Sequence, residues 1–141
     1  ALLVGANYRG SDDELQGCAQ DAERIERLLV ETFGWPAGSV RRLADDRPGA
    51  LPTRQNIEAG LLWLVAGAEP GDALFFSFSG HGSTSSDHHG YAEGGENESI
   101  LPVDHERSGP ITDDQISDVL VKPLPEGVRL TAVVDCCPGG G

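Results

Sequence analysis

Two short segments carry the residue types that nucleophilic catalysis requires. His81 lies between two glycines in the segment SGHG (79–82), and an aspartate precedes two adjacent cysteines in the segment DCC (135–137). A thiol becomes a good nucleophile when a neighbouring imidazole takes its proton. The glycines allow tight turns and let a substrate approach backbone N–H groups closely. The two segments together predict a cysteine nucleophile that uses His81 as its base.

The same side chains also have ordinary interpretations. A loop histidine is usually a solvated or hydrogen-bonded side chain, and a lone cysteine is usually a small buried hydrophobe. A disulfide between adjacent cysteines would be strained. A zinc or redox site is a further alternative, but the possible ligands lack the paired spacing of structural zinc sites. These possible ligands are His81, His88, His89, His105, Cys136 and Cys137.

Apolar periodicity predicts the elements that would position these segments. The expected strands are 1–8, 39–43, 73–79, 99–103 and 128–134, and the expected helices are 18–33, a helix from about 53 towards 68, and 112–121. The strands 73–79 and 128–134 are apolar enough to be buried in the centre of a sheet. Residues 80–97 are expected to form a long loop.

Alternating strands and helices predict one layered α/β domain over residues 1–141, with a mostly parallel sheet flanked by helices. Ligands of such sheets bind beyond the carboxyl ends of the strands. The segments SGHG and DCC each follow one of the two apolar strands. We therefore expect them to meet at one end of the sheet.

Composition narrows the possible partners. A net charge of −13 argues against binding to nucleic acid or to an anionic membrane and favours cationic partners. No apolar run approaches the roughly 18 residues that a membrane span needs. Three cysteines do not make a disulfide framework, which favours a reducing, cytoplasmic location.

Taken in order, these segments resemble the large, p20-like catalytic subunit of metacaspases, which are caspase-like cysteine peptidases. The resemblance extends over nearly all of the chain. The segments that carry it are ALLVGANY, LQGCAQDA, PTRQNI, GDALFFSFSGHG, ESILPVD and ITDDQISDVLVKPLPEGVRLTAVVDCC. It implies a caspase-like layered sheet from which the strands of the small, p10-like subunit are missing in this chain.

The resemblance also implies roles for individual residues. Cys137 would be the nucleophile and His81 the base, because the family pattern is Asp, any residue, then the catalytic Cys. Cys136 would occupy the variable middle position. The backbone N–H groups of Gly82 and Cys137 would stabilise the oxyanion of the tetrahedral intermediate.

Metacaspases cleave after Arg or Lys, so the resemblance implies an acidic pocket for the substrate side chain on the amino side of the cleaved bond (P1). The matching residues are Asp21, Ser79 and Asp135. Two carboxylates around one guanidinium supply charge-assisted hydrogen bonds that a neutral side chain cannot replace. The expected substrates are peptides or proteins that contain Arg or Lys.

Many members of the family are activated by calcium, which makes Ca²⁺ the expected activator. The resemblance places possible ligands at Asp113 and Asp114, with Asn97 and Glu98 before the segment ILPVD. The residues alone allow a second explanation, because Asp113 and Asp114 also follow a capping box that opens a helix, where acids oppose the dipole. Asn97 stands where the family usually has Asp, and the loss of one charge weakens calcium binding.

The end of the sequence departs from the family pattern. Residues 138–141, PGGG, replace the usual His-Ser-Gly, and Gly-rich ends are typical of linkers and poorly ordered termini. Strand 128–134 would have an unpaired edge, which a p10-like portion of the protein or a separate chain should cover. The implied function is a monomeric cysteine endopeptidase, and the alternative is a non-catalytic caspase-like scaffold or regulatory domain.

Overall fold

The computed structural model describes residues 1–86 and 96–138, except the side chains of 85, 86, 96, 137 and 138. Residues 87–95, which include His88 and His89, and residues 139–141 lie outside this description. The strands are β1 (Leu2–Gly5), β2 (Arg41–Ala44), β3 (Ala73–Ser86), β4 (Glu96–Ile100), β5 (Ile111–Thr112) and β6 (Arg129–Pro138). The helices are α1 (Cys18–Arg27), α2 (Arg54–Val65), α3 (His105–Ser108) and α4 (Asp113–Leu120).

The strands form one six-stranded mixed sheet in the order β2-β1-β3-β4-β5, and β6 also pairs with β3. The pairs β1/β2, β1/β3 and β3/β6 are parallel. The pairs β3/β4 and β4/β5 are antiparallel. The predicted layered α/β architecture is therefore confirmed, with an antiparallel extension added at one end.

Both faces of β1 are buried, and this strand separates two apolar clusters. Leu2 and Val4 pack with α2 and α4 on one face, while Leu3 packs with α1 on the other, as the alternation of side chains along a strand requires. The larger cluster consists of Leu2, Val4, Ile57, Leu61, Leu64, Phe76, Phe78, Ile100, Ile111 and Leu120. Within the described parts of the chain, no helix has the length and apolar character to cross a bilayer.

The prediction of a loop over residues 80–97 is wrong at both ends of that range. β3 continues to Ser86 and pairs with β4, which begins at Glu96. The segment SGHG therefore lies inside a strand, where its backbone groups pair with β4 and β6. Polar and glycine-rich composition concealed this extension, because the strand is held by backbone pairing and not by an apolar pattern.

The two glycines of SGHG lie within β3 and not in turns, so the predicted turns are wrong. A Cβ atom at Gly80 would lie 2.9 Å from the hydroxyl oxygen of Tyr8. A Cβ atom at Gly82 would lie 2.9 Å from the Cβ of Cys136 and 3.2 Å from the carbonyl oxygen of Ser99. Each glycine thus allows a neighbouring segment to approach β3 closely.

Other boundaries differ from the predictions more modestly. The predicted helix 18–33 is α1 followed by a π-helical turn over Leu28–Thr32. The helix predicted at 112–121 is confirmed as α4, including its capping box. α3 and β5 were not predicted, because each is only a few residues long.

β6 runs through the DCC segment and was wrongly predicted to be buried. Val133 is 45% exposed and Val134 is 51% exposed. One edge of β6 pairs with β3, and no other described strand pairs with it. Leu130 and Cys136 of β6 pack against the larger apolar cluster, whereas Val133 and Val134 remain exposed in the described part of the chain.

The end of β1 contacts the first turn of α1 backbone to backbone. A Cβ atom at Gly5 would lie 2.3 Å from the carbonyl oxygen of Cys18. α1 starts after Gly17, which has no side chain that could cap the helix. Instead, the side-chain oxygen of Asn7 accepts the N–H groups of Cys18 (2.9 Å) and Ala19 (3.3 Å). These bonds satisfy two donors that a helix start leaves unpaired.

Tyr8 connects three segments from a buried position with a positive φ of 54°. Its hydroxyl donates to the carbonyl oxygen of Leu101 (2.5 Å) and accepts the backbone N–H of His81 (2.9 Å). Burial raises the pKa of Tyr8 far above its ordinary value, so the hydroxyl keeps its proton. Tyr8 therefore holds the backbone of β3 at His81.

We expect Gly5→Ala to lower the free energy of unfolding by about 1–3 kcal/mol, because the new methyl group would force β1 and α1 apart. Urea denaturation followed by circular dichroism would measure this. The control is Gly38→Ala, since a Cβ atom there meets nothing within 4 Å. Equal stability of the two variants would contradict the backbone contact.

We expect Tyr8→Phe to cost about 1–3 kcal/mol of unfolding free energy, because the partly buried N–H of His81 and the carbonyl of Leu101 would each lose a partner. The same denaturation measurement applies. Ser39→Ala is the control, since it removes an exposed hydroxyl that donates to the carbonyl oxygen of Pro36. A loss no larger than that of the control would show that Tyr8 does not hold these segments.

Candidate active site

The register of β3 and β6 brings the SGHG and DCC segments side by side. The Cα of His81 is paired with that of Cys137, and the Cα of Ser79 with that of Asp135. Because the two strands are parallel, residues that are partners in register lie next to each other across the pair. The predicted base and nucleophile are therefore neighbours in the backbone of the sheet.

His81 is held in one orientation by a backbone carbonyl. Its Nε2 lies 2.8 Å from the carbonyl oxygen of Asp13, in the loop between β1 and α1. A carbonyl oxygen only accepts hydrogen bonds, so Nε2 must carry the proton of this bond. In the neutral imidazole, Nδ1 is then the nitrogen that lacks a proton and can act as a base.

The surroundings of His81 add two contacts. The ring of Tyr8 lies 4.9 Å from the imidazole of His81, measured between centroids, and 6.0 Å from that of His105. Nε2 of His105 lies 3.7 Å from a carboxylate oxygen of Asp13, an ion pair when His105 is protonated. The carbonyl oxygen of Asp13 thus contacts His81, and the carboxylate of Asp13 contacts His105.

A cavity of about 310 Å³ is lined by all three residues that are predicted to bind the substrate side chain, namely Asp21, Ser79 and Asp135. The hydroxyl of Ser79 donates to a carboxylate oxygen of Asp21 at 3.5 Å, and Asp135 is adjacent to Ser79 in the register. The apolar side chains of the cavity wall are those of Ala22, Ile25 and Val133. The cavity therefore has an apolar wall and two carboxylates, which suits a long cationic side chain.

A cysteine beside this cavity does not compete as a nucleophile. Cys18 is buried, and burial raises the pKa of its thiol. A hydrogen bond with Ser79 acts in the opposite direction, and the negative charges of Asp21 and Asp135 raise the pKa further. A buried thiol that stays protonated is a poor nucleophile.

The residues predicted to bind calcium are only partly brought together. Glu98 and Asp113 line a second cavity of about 350 Å³, together with Gly82 and Cys136. Asp114 and Asn97 are not among the residues that line it. Asp113 and Asp114 open α4, so they also fit the helix-start explanation. Among the described residues, no three His, Cys, Asp or Glu side chains are grouped to hold a metal ion.

The sequence interpretation missed several residues that shape the site. Asn7 and Tyr8 lie just beyond β1, at the end of the predicted strand 1–8, and polar residues at a strand end were the available signal. Asp13 acts through its carbonyl oxygen, which has no signature in the sequence. Arg24 also lines the acidic cavity, and its spacing of three residues from Asp21 on a helix was the available signal.

Comparison with known proteins identifies the family of the chain. A family model described as the metacaspase, peptidase C14 domain matches residues 1–141. Metacaspase-1A of Neurospora crassa is 48% identical over 99% of this chain, and Metacaspase-3 of Arabidopsis thaliana is 43% identical over 99%. The chain spans 31% of the first relative and 39% of the second, which is about a third of their length.

A solved structure has the same fold. Protein GSU0716 of Geobacter sulfurreducens matches with a TM-score of 0.76 and 27% identity, and the match covers 99% of this chain and 50% of that one. This likeness supports the caspase-like architecture expected from the sequence. The family match over the whole chain shows that the protein belongs to the metacaspases, within the peptidase C14 domains.

Proposed function

We propose that the protein is a cysteine endopeptidase in which Cys137 is the nucleophile and His81 the base. The observation that carries this proposal is the register, which pairs the two residues on adjacent parallel strands. The hydrogen bond of Nε2 to Asp13 adds support, because it leaves Nδ1 of His81 free to accept a proton.

The proposed reaction has two stages. The thiol proton of Cys137 moves to Nδ1 of His81, and the sulfur attacks the peptide carbonyl carbon to form a C–S bond. The N–H groups of Gly82 and Cys137 stabilise the oxyanion. The C–N bond breaks as His81 returns its proton to the amine. Water, deprotonated by His81, then hydrolyses the thioester and restores the thiol.

We propose that the substrate residue before the cleaved bond is Arg or Lys. The cavity lined by Asp21, Ser79 and Asp135 supports this, because it offers carboxylates beside an apolar wall. The register of β3 and β6 also supports this proposal. Ser79 lies two residues before His81 on β3, and Asp135 lies two residues before Cys137 on β6. A basic side chain in the cavity would therefore lie beside the reacting carbonyl group.

We also propose that the open edge of β6 pairs with a strand from a p10-like portion of the protein or from a separate chain. The exposure of Val133 and Val134 supports this, because apolar strand residues at an unpaired edge favour further pairing. In the first case, the catalytic unit would be a single protein molecule with a completed sheet.

We expect Cys137→Ala to reduce cleavage of an Arg-containing fluorogenic peptide by the full-length protein at least about 1,000-fold, because the nucleophile is lost. Cys136→Ala is the matched control and should retain activity. Loss of activity in Cys136→Ala but not in Cys137→Ala would reverse the assignment. A folded wild-type protein that cleaves no such peptide, with or without calcium, would favour the scaffold alternative.

We propose calcium as an activator, bound in part by Glu98 and Asp113. These two residues line the second cavity, and carboxylate oxygens are ligands that calcium prefers. A calcium ion takes six to eight oxygen ligands, so other residues must complete the shell. The ion would supply positive charge beside β4 and α4. It takes no part in the proposed proton transfers.

We expect Asp113→Asn to weaken calcium binding by the full-length protein roughly tenfold, because one ligand charge is lost. Isothermal titration calorimetry would measure this. Asp118→Asn is the control, since Asp118 lies on the same helix, where it pairs with Lys122. Calcium affinity that is the same in Asp113→Asn and Asp118→Asn would show that the acids at the start of α4 only oppose the helix dipole.

A further inference from the structure

The acidic cavity also contains a cation that belongs to the chain itself. Arg24 lines the cavity, and its Nη1 lies 3.5 Å from a carboxylate oxygen of Asp21. The two residues are three positions apart on α1, so they share one face of the helix. The titratable side chains that line this cavity, among the described residues, are Asp21, Arg24 and Asp135.

Arg24 therefore offers Asp21 the same chemical group that a substrate arginine would offer. With Arg24 in place, the cavity carries two carboxylates and one guanidinium, and its net charge is about −1 instead of −2 at neutral pH. An arriving cation thus meets a smaller attraction and a carboxylate that already has a partner. Both effects lower the affinity for a basic side chain.

The exposure of Arg24 and Asp21 indicates that the competition between Arg24 and a substrate cation is weak. The Arg24 side chain is 74% exposed and that of Asp21 is 44% exposed. Exposed ion pairs at such distances are weak and are screened by salt. A substrate side chain can therefore displace Arg24 from Asp21, and the effect is a reduction in affinity and not a block.

We propose that Arg24 is a specificity-determining residue that competes with the basic substrate side chain for Asp21. This inference rests on the proposed assignment of the cavity to an Arg or Lys side chain. With Arg24 present, the cavity binds a basic substrate side chain more weakly than Asp21 and Asp135 alone would bind it. Only substrates that are held by additional contacts, or are present at high concentration, then bind well.

The same helix provides a matched control. Arg27 is 68% exposed and pairs with Glu23 at 3.6 Å, but it is not among the residues that line the cavity. Replacing Arg24 or Arg27 by Gln changes the net charge of the protein equally. A difference between the two variants therefore reports the position of the charge in the cavity.

The binding experiment uses the full-length protein in a Cys137→Ala background, so that no covalent step contributes. The probe is N-acetyl-L-arginine amide, titrated calorimetrically at low ionic strength. We expect Arg24→Gln to bind the probe about threefold more tightly than its parent, a gain that salt reduces. Arg27→Gln should match the parent, and Asp135→Asn should bind more weakly because a carboxylate is lost.

Two results would overturn the inference in distinguishable ways. Equal affinity of Arg24→Gln and Arg27→Gln, with weaker binding by Asp135→Asn, would reject the role of Arg24 and leave the cavity assignment intact. Binding that Asp135→Asn does not change, or no binding at all, would reject the cavity assignment and the role of Arg24 together. Peptide cleavage by the protein with Cys137 intact tests the peptidase proposal separately, and there Arg24→Gln should lower KM about threefold without changing kcat.

Discussion

The contact between Gly5 and the first turn of α1 determines where the acidic cavity lies. With no side chain between strand and helix, their separation is set by the van der Waals contact of two backbones. Ser79 is the partner of Gly5 in the β1/β3 register, so the same contact brings the helix close to β3. This proximity places Asp21 within reach of the Ser79 hydroxyl. A larger residue at Gly5 would move one wall of the cavity away from the other.

The local features of the chain were predictable from its sequence, because they depend on residues that are close together. The capping box of α4 is an example, since Thr112 and Gln115 satisfy each other within one helical turn. The apolar stripe of α2 is another. The meeting of SGHG and DCC at one end of the sheet was also predictable, because both follow apolar runs of adjacent parallel strands.

Contacts between distant segments were not predictable in the same way. Tyr8 reaches a carbonyl oxygen 93 positions away, and no pattern near Tyr8 indicates that partner. The strand character of residues 80–86 depends on pairing with β4 and β6, which overrides a composition typical of loops. The exposure of β6 was missed because an apolar run indicates only that burial is favourable. It does not indicate whether the covering segment lies within the same stretch of chain.

The carbonyl oxygen that orients His81 has a consequence for how the site tolerates change. Every amino acid has a backbone carbonyl, so the side chain at position 13 can vary without removing the acceptor of the Nε2 proton. The path of the chain matters instead, because one inserted or deleted residue between Tyr8 and Cys18 would shift the carbonyl along the loop. Among related sequences, this orientation would therefore be preserved by a constant loop length, even where the residue identities in the loop differ.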